Sequence, residues 1–443
     1  MKEIKLKKTI CIIVGICLSI LSIDAQSQQL LNDFKKLANG GRGDISMSAY
    51  PKVSRKELNI PVKYEGKRYD LVKDFHASNK NFENVSSTIQ KAIDKISQKG
   101  GGMLYIPAGE YGICRVSMKS NVHIIVSNKA VLKGINEAAN GKSYSFFDIG
   151  NNGLCENVSI EGENGQFKVL IPDYKPGIRF TMITEARNFF IADLLIEDHD
   201  TKFSGICLGA TKKTAENVKA NFCGPTNGVI MDCSTYNSDY GYGMIQAQAA
   251  QNVRFYNLYG EGGATLRLET GYTKMNNLQW GGVFDITAKN IMCVRGNSAL
   301  MVSPHSMHCG YVHISDVTAV SAGFAARIDG GFISKKYEKR DDIIVGTFKG
   351  GDLKNVTAYF GTQSQLKTKH LGFLPTELVK LLPKPNHSTV MEPAPSACPV
   401  VFDAKYPFNL DTTSIVAIGY KYAQNVMTEP HKLSAEALKI KRQ

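Results

Sequence analysis

Hydrophobic and polar residues alternate through Ala264-Thr265-Leu266-Arg267-Leu268-Glu269-Thr270-Gly271. Successive side chains of a strand point to opposite faces, so Leu266 and Leu268 turn one way and Arg267 and Glu269 the other. The pattern returns around Gln246 and Gln248, around Ser303 and His305, and in Arg327-Ile328-Asp329. Gln246 and Glu269 are 23 residues apart and His305 and Arg327 are 22 apart, while the 36 between Glu269 and His305 include a polar, Gly-rich run, Gly271–Gly282, that reads as an inserted loop. A period in the low twenties predicts a repeat solenoid. Gln246, Glu269, His305 and Arg327 are then expected in one column on an open sheet face, with rungs ~4.8 Å apart.

Upstream, Tyr69–Phe75 reads as a short strand. Ser87-Thr-Ile-Gln90 has the form of a capping box opening a helix through about Ser97, with Ile89, Ala92, Ile93 and Ile96 on one face. Gly100-Gly-Gly and Ile106-Pro-Ala-Gly-Glu-Tyr111 follow. This order resembles the entry of secreted right-handed parallel β-helix proteins, in which the helix plugs the apolar end of the stack. Short strands then recur, many opened by Asn plus an apolar residue (Asn121, Asn157, Asn188, Asn217, Asn252, Asn290, Asn355), as expected of turn residues that tolerate left-handed dihedrals. The fold class expected is all-β: a right-handed parallel β-helix with an N-terminal capping helix and a small subdomain inserted late. The boundaries are a signal peptide at 1–25, an N-terminal extension at 26–65, the β-helix at 66–331, the subdomain at 332–400, and a last coil and tail at 401–443. Within them, Leu374–Leu382 reads as a short helix, 414–419 as a return to strand and 432–443 as a basic helix or tail.

Composition narrows the class. With 443 residues, 43% hydrophobic, the chain is long enough for a large core and too apolar for disorder. Lys2, Lys5, Lys7 and Lys8 precede the apolar run Ile10–Ile23, the form of a secretory signal cleaved near Ala25, and no second membrane-spanning candidate follows. The protein is expected outside the cytoplasm, free, periplasmic or near the cell surface, as a monomer. The net charge is +13, and setting aside four lysines against Glu3 and Asp24 of the signal leaves +11. An exported protein this basic points to a polyanion such as a sulfated or carboxylated polysaccharide, and no nucleic-acid motif is present. Eight cysteines remain after the signal, without metal-ligand spacing, and read as buried free thiols between coils.

The chemistry centres on Glu269. A carboxyl whose environment raises its pKa can protonate a leaving glycosidic oxygen. Inverting hydrolysis wants a second carboxylate ~6.5–9.5 Å away. Position 271, ~6.6 Å along the strand, is the natural place for it, and it is glycine. Gln246 or Gln248 can orient a water. Asp329, two rungs on, lies at ~9.6 Å. His305 can bind substrate, hold the water or act as base. Arg267 and Arg327 present guanidinium forks that suit sulfate oxygens.

These residues resemble the iota-carrageenases, family-82 glycoside hydrolases. The resemblance covers most of 66–420 and is firmest over 240–330. It implies endo-acting, inverting cleavage of β-1,4 bonds in a sulfated galactan, with Glu269 as acid, Gln246 one coil earlier, His305 in the cleft, and Arg267 and Arg327 on sulfate. The family's aspartate base falls on Gly271, so this chain needs another water-activating group. The family carries structural ions, Ca²⁺ or Na⁺, which nothing in the sequence locates; no cofactor is implied for the chemistry. Two other classes remain open: a pectin-type β-helix hydrolase or lyase, for which the single Asp pair, Asp341-Asp342, is poorly placed, and a non-catalytic polysaccharide-binding β-helix, which accommodates Gly271 directly.

Overall fold

A computed structural model of the chain describes residues 32–33, 36, 52–210, 224–271, 273–385 and 389–442. The expected signal peptide, Asn217 and Cys223 lie outside the described residues. Twenty-four strands form one hydrogen-bonded sheet whose pairings are all parallel, as in a β-helix. The register shows how the core is built. Leu104, Ile124, Ile160, Ile191, Ile230, Phe255, Ala288, Ile314 and Leu353 stack one above another on successive coils, and all are buried. Each coil contributes one apolar side chain at this level, so no coil can bury its face without its neighbours.

The spacing along this ladder runs from 20 to 39 residues, which corrects the expected period in the low twenties. A parallel coil needs only its short strands in register; its corners take up extra residues without disturbing the ladder. The run 271–282 is one such corner, and it holds a short helix rather than a plain loop. Truncating Ile230 to alanine should cost about 2–5 kcal/mol, measured by denaturant unfolding, because the coils on either side hold the cavity open.

The asparagine expectation holds at every described position. Asn121, Asn157, Asn188, Asn252, Asn290 and Asn355 all have φ between 51° and 62°. Their side chains also pair between coils, as where Asn157 Nδ2 donates to Asn121 Oδ1 at 3.0 Å. The described part of the N-terminal extension is strapped across such positions: Lys63 N donates to Asn157 Oδ1 at 2.7 Å and Val53 N to Asn257 Oδ1 at 2.9 Å.

Helix α1 (Ser86–Gln98) buries Ile89, Ala92, Ile93 and Ile96 against the first coils, as expected. The capping box is not formed. The helix begins one residue earlier, Asn84 Oδ1 accepts from Ser86 N and Oγ, and Gln90 instead bonds both backbone groups of Ser117. Helix α2 (Thr273–Leu278) is the corner helix noted above. Helix α3 (Ala435–Arg442) is the basic tail. No helix among the described residues is long and apolar enough to cross a membrane. The seven described cysteines are free and buried.

The late insertion differs from the expected single block at 332–400. Thr347–Tyr359 returns to the main sheet, pairing in parallel with His308–Val320. The insertion is therefore two excursions. The second carries an antiparallel pair, Ser364–Lys367 with Val390–Ala394, and 3₁₀ turns at Thr368–Phe373 and Thr376–Leu381 in place of one helix at 374–382. It has its own small core around Leu366, Leu371, Leu374 and Met391. Ile415–Ile418 resumes the coil as expected.

Candidate active site

Five strands build the face that carries the candidate residues: β1 (Ser204–Leu208), β2 (Thr226–Ala247), β3 (Ala249–Glu269), β4 (Ser298–Ser303) and β5 (Phe324–Ile328). Leu266 and Leu268 are fully buried, so the alternation predicted from sequence sets the inward face. The single column is corrected by the register. Cys207, Gln246, Arg267, Met301 and Arg327 align in one column. Glu269 aligns with Ser303 in the next, and Asp329, whose N donates to Val302 O at 2.9 Å, continues that row. His305 lies two residues beyond Ser303, against Gly271: a Cβ at 271 would stand 2.7 Å from His305 Cβ. The predicted residues lie on one side of the sheet but occupy three adjacent columns, with His305 and Asp329 just past the ends of β4 and β5. Gln246 and Gln248 are both partly exposed there.

Glu269 is gripped from two sides. Arg267 Nε donates to Oε2 at 2.8 Å, with Nη2 on the same oxygen. His305 Nε2 stands 3.0 Å from Oε1. Burial pushes the carboxyl up, but the Arg267 charge and the His305 hydrogen bond outweigh it and hold Glu269 well below the usual carboxylate range. The raised pKa expected of an acid is therefore absent while Arg267 and His305 hold the carboxylate.

His305 is positioned by its backbone. Its carbonyl accepts from Phe332 N and Gly346 N, both at 2.8 Å, and its ring lies 4.6 Å from that of Phe332. Helix α2 locks the other side: Asn276 Nδ2 donates to Gly271 O at 2.8 Å, and Ser306 Oγ donates to Asn276 Oδ1. Gly271 has φ +86°, a conformation that disfavours any side chain. Gly271→Ala should thus lose about 1–3 kcal/mol of stability through strain and overpacking. It should also displace His305 from Glu269, read as a fall in kcat beside the unfolding midpoint.

Arg327 repeats the arrangement two coils on, with Nη2 donating to Asp329 Oδ2 at 2.7 Å. The expectation of an open face is overturned here, since Arg267 and Arg327 are 8% and 6% exposed. The insertion roofs them. Tyr240 OH and His370 Nδ1 are hydrogen-bonded at 3.2 Å, the His370 ring meets Phe324 edge-on at 5.6 Å, and the Arg327 guanidinium lies 5.6 Å from the Phe324 ring. Tyr240, Asn276, Lys369 and His370 were not legible as site residues. The basic run Lys367-Thr-Lys-His370 was the one signal for Lys369 and His370; Tyr240 and Asn276 carried none. Among the described residues no group of three His, Cys, Asp or Glu side chains is placed to hold a metal ion.

No protein-family model matches the chain. An iota-carrageenase of Alteromonas macleodii is 37% identical over 267 residues, 60% of this chain and 53% of that protein. One from Zobellia galactanivorans is 35% identical over 268 residues, with the same coverage of each. The chain thus spans about half the length of the curated relatives it matches. Among solved structures, a family-82 iota-carrageenase from A. fortis superposes with a TM-score of 0.76 at 28% identity, covering 89% of this chain and 99% of that one. An iota-carrageenase complexed to iota-carrageenan fragments gives 0.72 at 26%, covering 87% and 99%. In both sequence and fold, this chain is similar to the iota-carrageenases.

Proposed function

We propose that the protein is a secreted endo-hydrolase of iota-carrageenan that cleaves β-1,4 bonds with inversion. The observation that carries this reading is the Arg267–Glu269–His305 cluster on a cationic β-helix face, in a chain whose relatives are named for that activity. Sulfated galactan supplies both an anion for Arg267 and Arg327 and a glycosidic oxygen for Glu269 to protonate.

The low pKa of Glu269 sets a condition on the mechanism. While Arg267 is bound to it, Glu269 is a carboxylate and cannot donate a proton. A sulfate that draws Arg267 away removes the larger of the two opposing influences, and burial then raises the carboxyl. His305, already on Oε1, holds the proton's path. The substrate's own charge thereby turns Glu269 into the acid. Gly271 leaves no carboxylate at the usual base position, and His305 is tied to the acid. Asp329, in the Glu269 row two rungs away (~9.6 Å), takes the water-activating role near the upper end of the inverting range. Gln246, beside Arg267 and on the opposite side of Glu269 from Asp329, is the alternative group for positioning a water.

Reducing-end release from iota-, kappa- and lambda-carrageenan and polygalacturonate, by wild type beside Glu269→Gln, tests this reading. Release from iota-carrageenan alone, lost in the variant, is expected. Release from polygalacturonate instead would assign a pectin-type activity. A second reading, a binding protein without turnover, draws on Gly271 and the deprotonated Glu269; iota-carrageenan bound equally by both proteins with no release would establish it.

A further inference from the structure

Each coil also presents an outward face away from the site. Strand β3 shows the division: its first part pairs with Ile286–Val294, and its second part, which carries Arg267 and Glu269, pairs with Ser298–Ser303. Further along the first row of strands, His308–Val320 pairs with Thr347–Tyr359. Ile314 and Leu353 are buried there, so alternation turns Tyr311, His313 and Lys354 outward. Together with Lys349 they line an open groove of about 780 Å³. Through His313, Asp352 and Lys354 it meets a second hollow, of about 910 Å³, that reaches the strap at Lys52.

Two glycines build the floor of this groove. Neither Gly350 nor Gly351 has positive φ, so what they supply is space: a Cβ at 350 would stand 2.6 Å from Tyr311 Cε1, and one at 351 would stand 2.5 Å from Phe408 Cε2. Rings from the coils before and after thus lie against bare backbone, and Tyr311 still keeps 40% of its surface exposed. The Tyr311 and His313 rings are within 6° of parallel, with centroids 6.4 Å apart, and Lys349 Nζ is 5.2 Å from the Tyr311 centroid. The nearby acids are engaged: Asp352 Oδ2 with His313 Nδ1 at 2.5 Å, Asp316 with Lys289 and Asn355, and Asp411 with Thr413. Lys349 and Lys354 are exposed and have no carboxylate partner among the described residues.

We propose that this groove is a second, non-catalytic binding site for an anionic polysaccharide, with Tyr311 as its platform and Lys349 and Lys354 as its anion contacts. The identity of the polymer, a sulfated galactan, rests on the functional reading above. The electron-rich face of an aromatic ring attracts the C–H face of a sugar and repels a sulfate, so the sulfate is directed to the ammonium beside the ring. One chain held both here and in the cleft gains effective concentration at the cleft. A fragment too short to span the two sites gains nothing. The groove therefore acts on polymer capture and leaves the chemistry at Glu269 untouched.

The test is calorimetric titration of an iota-carrageenan tetrasaccharide and its chemically desulfated counterpart into Glu269→Gln, alone and combined with Tyr311→Ala, Tyr311→Phe or Lys349→Ala. Steady-state cleavage of polymer and of short oligosaccharides by the single Tyr311 and Lys349 variants runs in parallel. Adding Tyr311→Ala is expected to remove one binding site per chain, and Tyr311→Phe to keep it. On polymer, Tyr311→Ala and Lys349→Ala should each raise KM about fivefold and leave kcat within about twofold, since the contact belongs to ground-state binding. On short oligosaccharides both constants should match wild type, as should the unfolding midpoints, because both side chains are exposed. An unchanged number of sites in the Tyr311→Ala combination, or an unchanged polymer KM in both single variants, with wild type still cleaving, overturns this proposal and leaves the functional reading standing. Desulfated tetrasaccharide filling the second site as tightly as the sulfated one overturns the anionic ligand class. Failure of wild type to bind or cleave any carrageenan overturns both readings.

Discussion

Glu269→Gln is expected to slow reducing-end release from iota-carrageenan by about 10²- to 10⁴-fold, the range for loss of a positioned general acid. Glutamine keeps the shape of the side chain and can still accept from Arg267, so affinity for a carrageenan fragment should change far less than kcat. On the proposed mechanism Glu269 is a carboxylate before substrate arrives and an acid afterwards, so binding should take up a proton. Titrations in two buffers of different ionisation enthalpy should reveal that uptake in wild type and not in the variant. Stability gives an independent check. The folded-state pKa of Glu269 lies below its ordinary value of 4.5, so its ion pair contributes fully above that pH and the contribution is lost as pH falls through the folded-state value. The unfolding midpoint of wild type should therefore exceed that of Glu269→Gln near neutrality, and the gap should narrow below about pH 4.5. A gap that widens with acid would contradict the Arg267–Glu269–His305 arrangement.

Asp329→Asn should also lose about 10²- to 10⁴-fold in kcat with KM little changed, since a general base acts on water rather than on the sugar. The side chain is accessible from the cleft, its single bonded oxygen accepting from Arg327. A small anionic nucleophile such as azide, which needs no deprotonation, should restore turnover in Asp329→Asn by attacking the anomeric carbon directly. It should not restore Glu269→Gln, where the leaving oxygen still lacks its proton. Full activity in Asp329→Asn would move the water-activating role to Gln246, with Gln246→Leu as the next variant.

Local rules made much of this protein legible from its residues. The period-2 alternation fixed which side of each strand is buried, because a strand has only two faces; Leu266 and Leu268 went inward and Glu269 outward as expected. The recurrent asparagines marked corners because few other residues accept positive φ. The apolar stripe of α1 likewise identified the helix at the entry. What depended on distance in space was not legible. A column is defined by which residue pairs with which across coils, and corner lengths from coil to coil break any fixed period, so Gln246 aligned with Arg267 rather than Glu269. The contact of Gly271 with His305 joins residues 34 apart in sequence, and its consequence, that a side chain at 271 would collide with His305, follows from three-dimensional packing alone. The protonation state of Glu269 required the same information. Alternation placed an arginine and a carboxylate on one face, but only the folded geometry put Arg267 on one carboxylate oxygen, His305 on the other and the insertion above them, where burial and charge oppose each other and charge prevails.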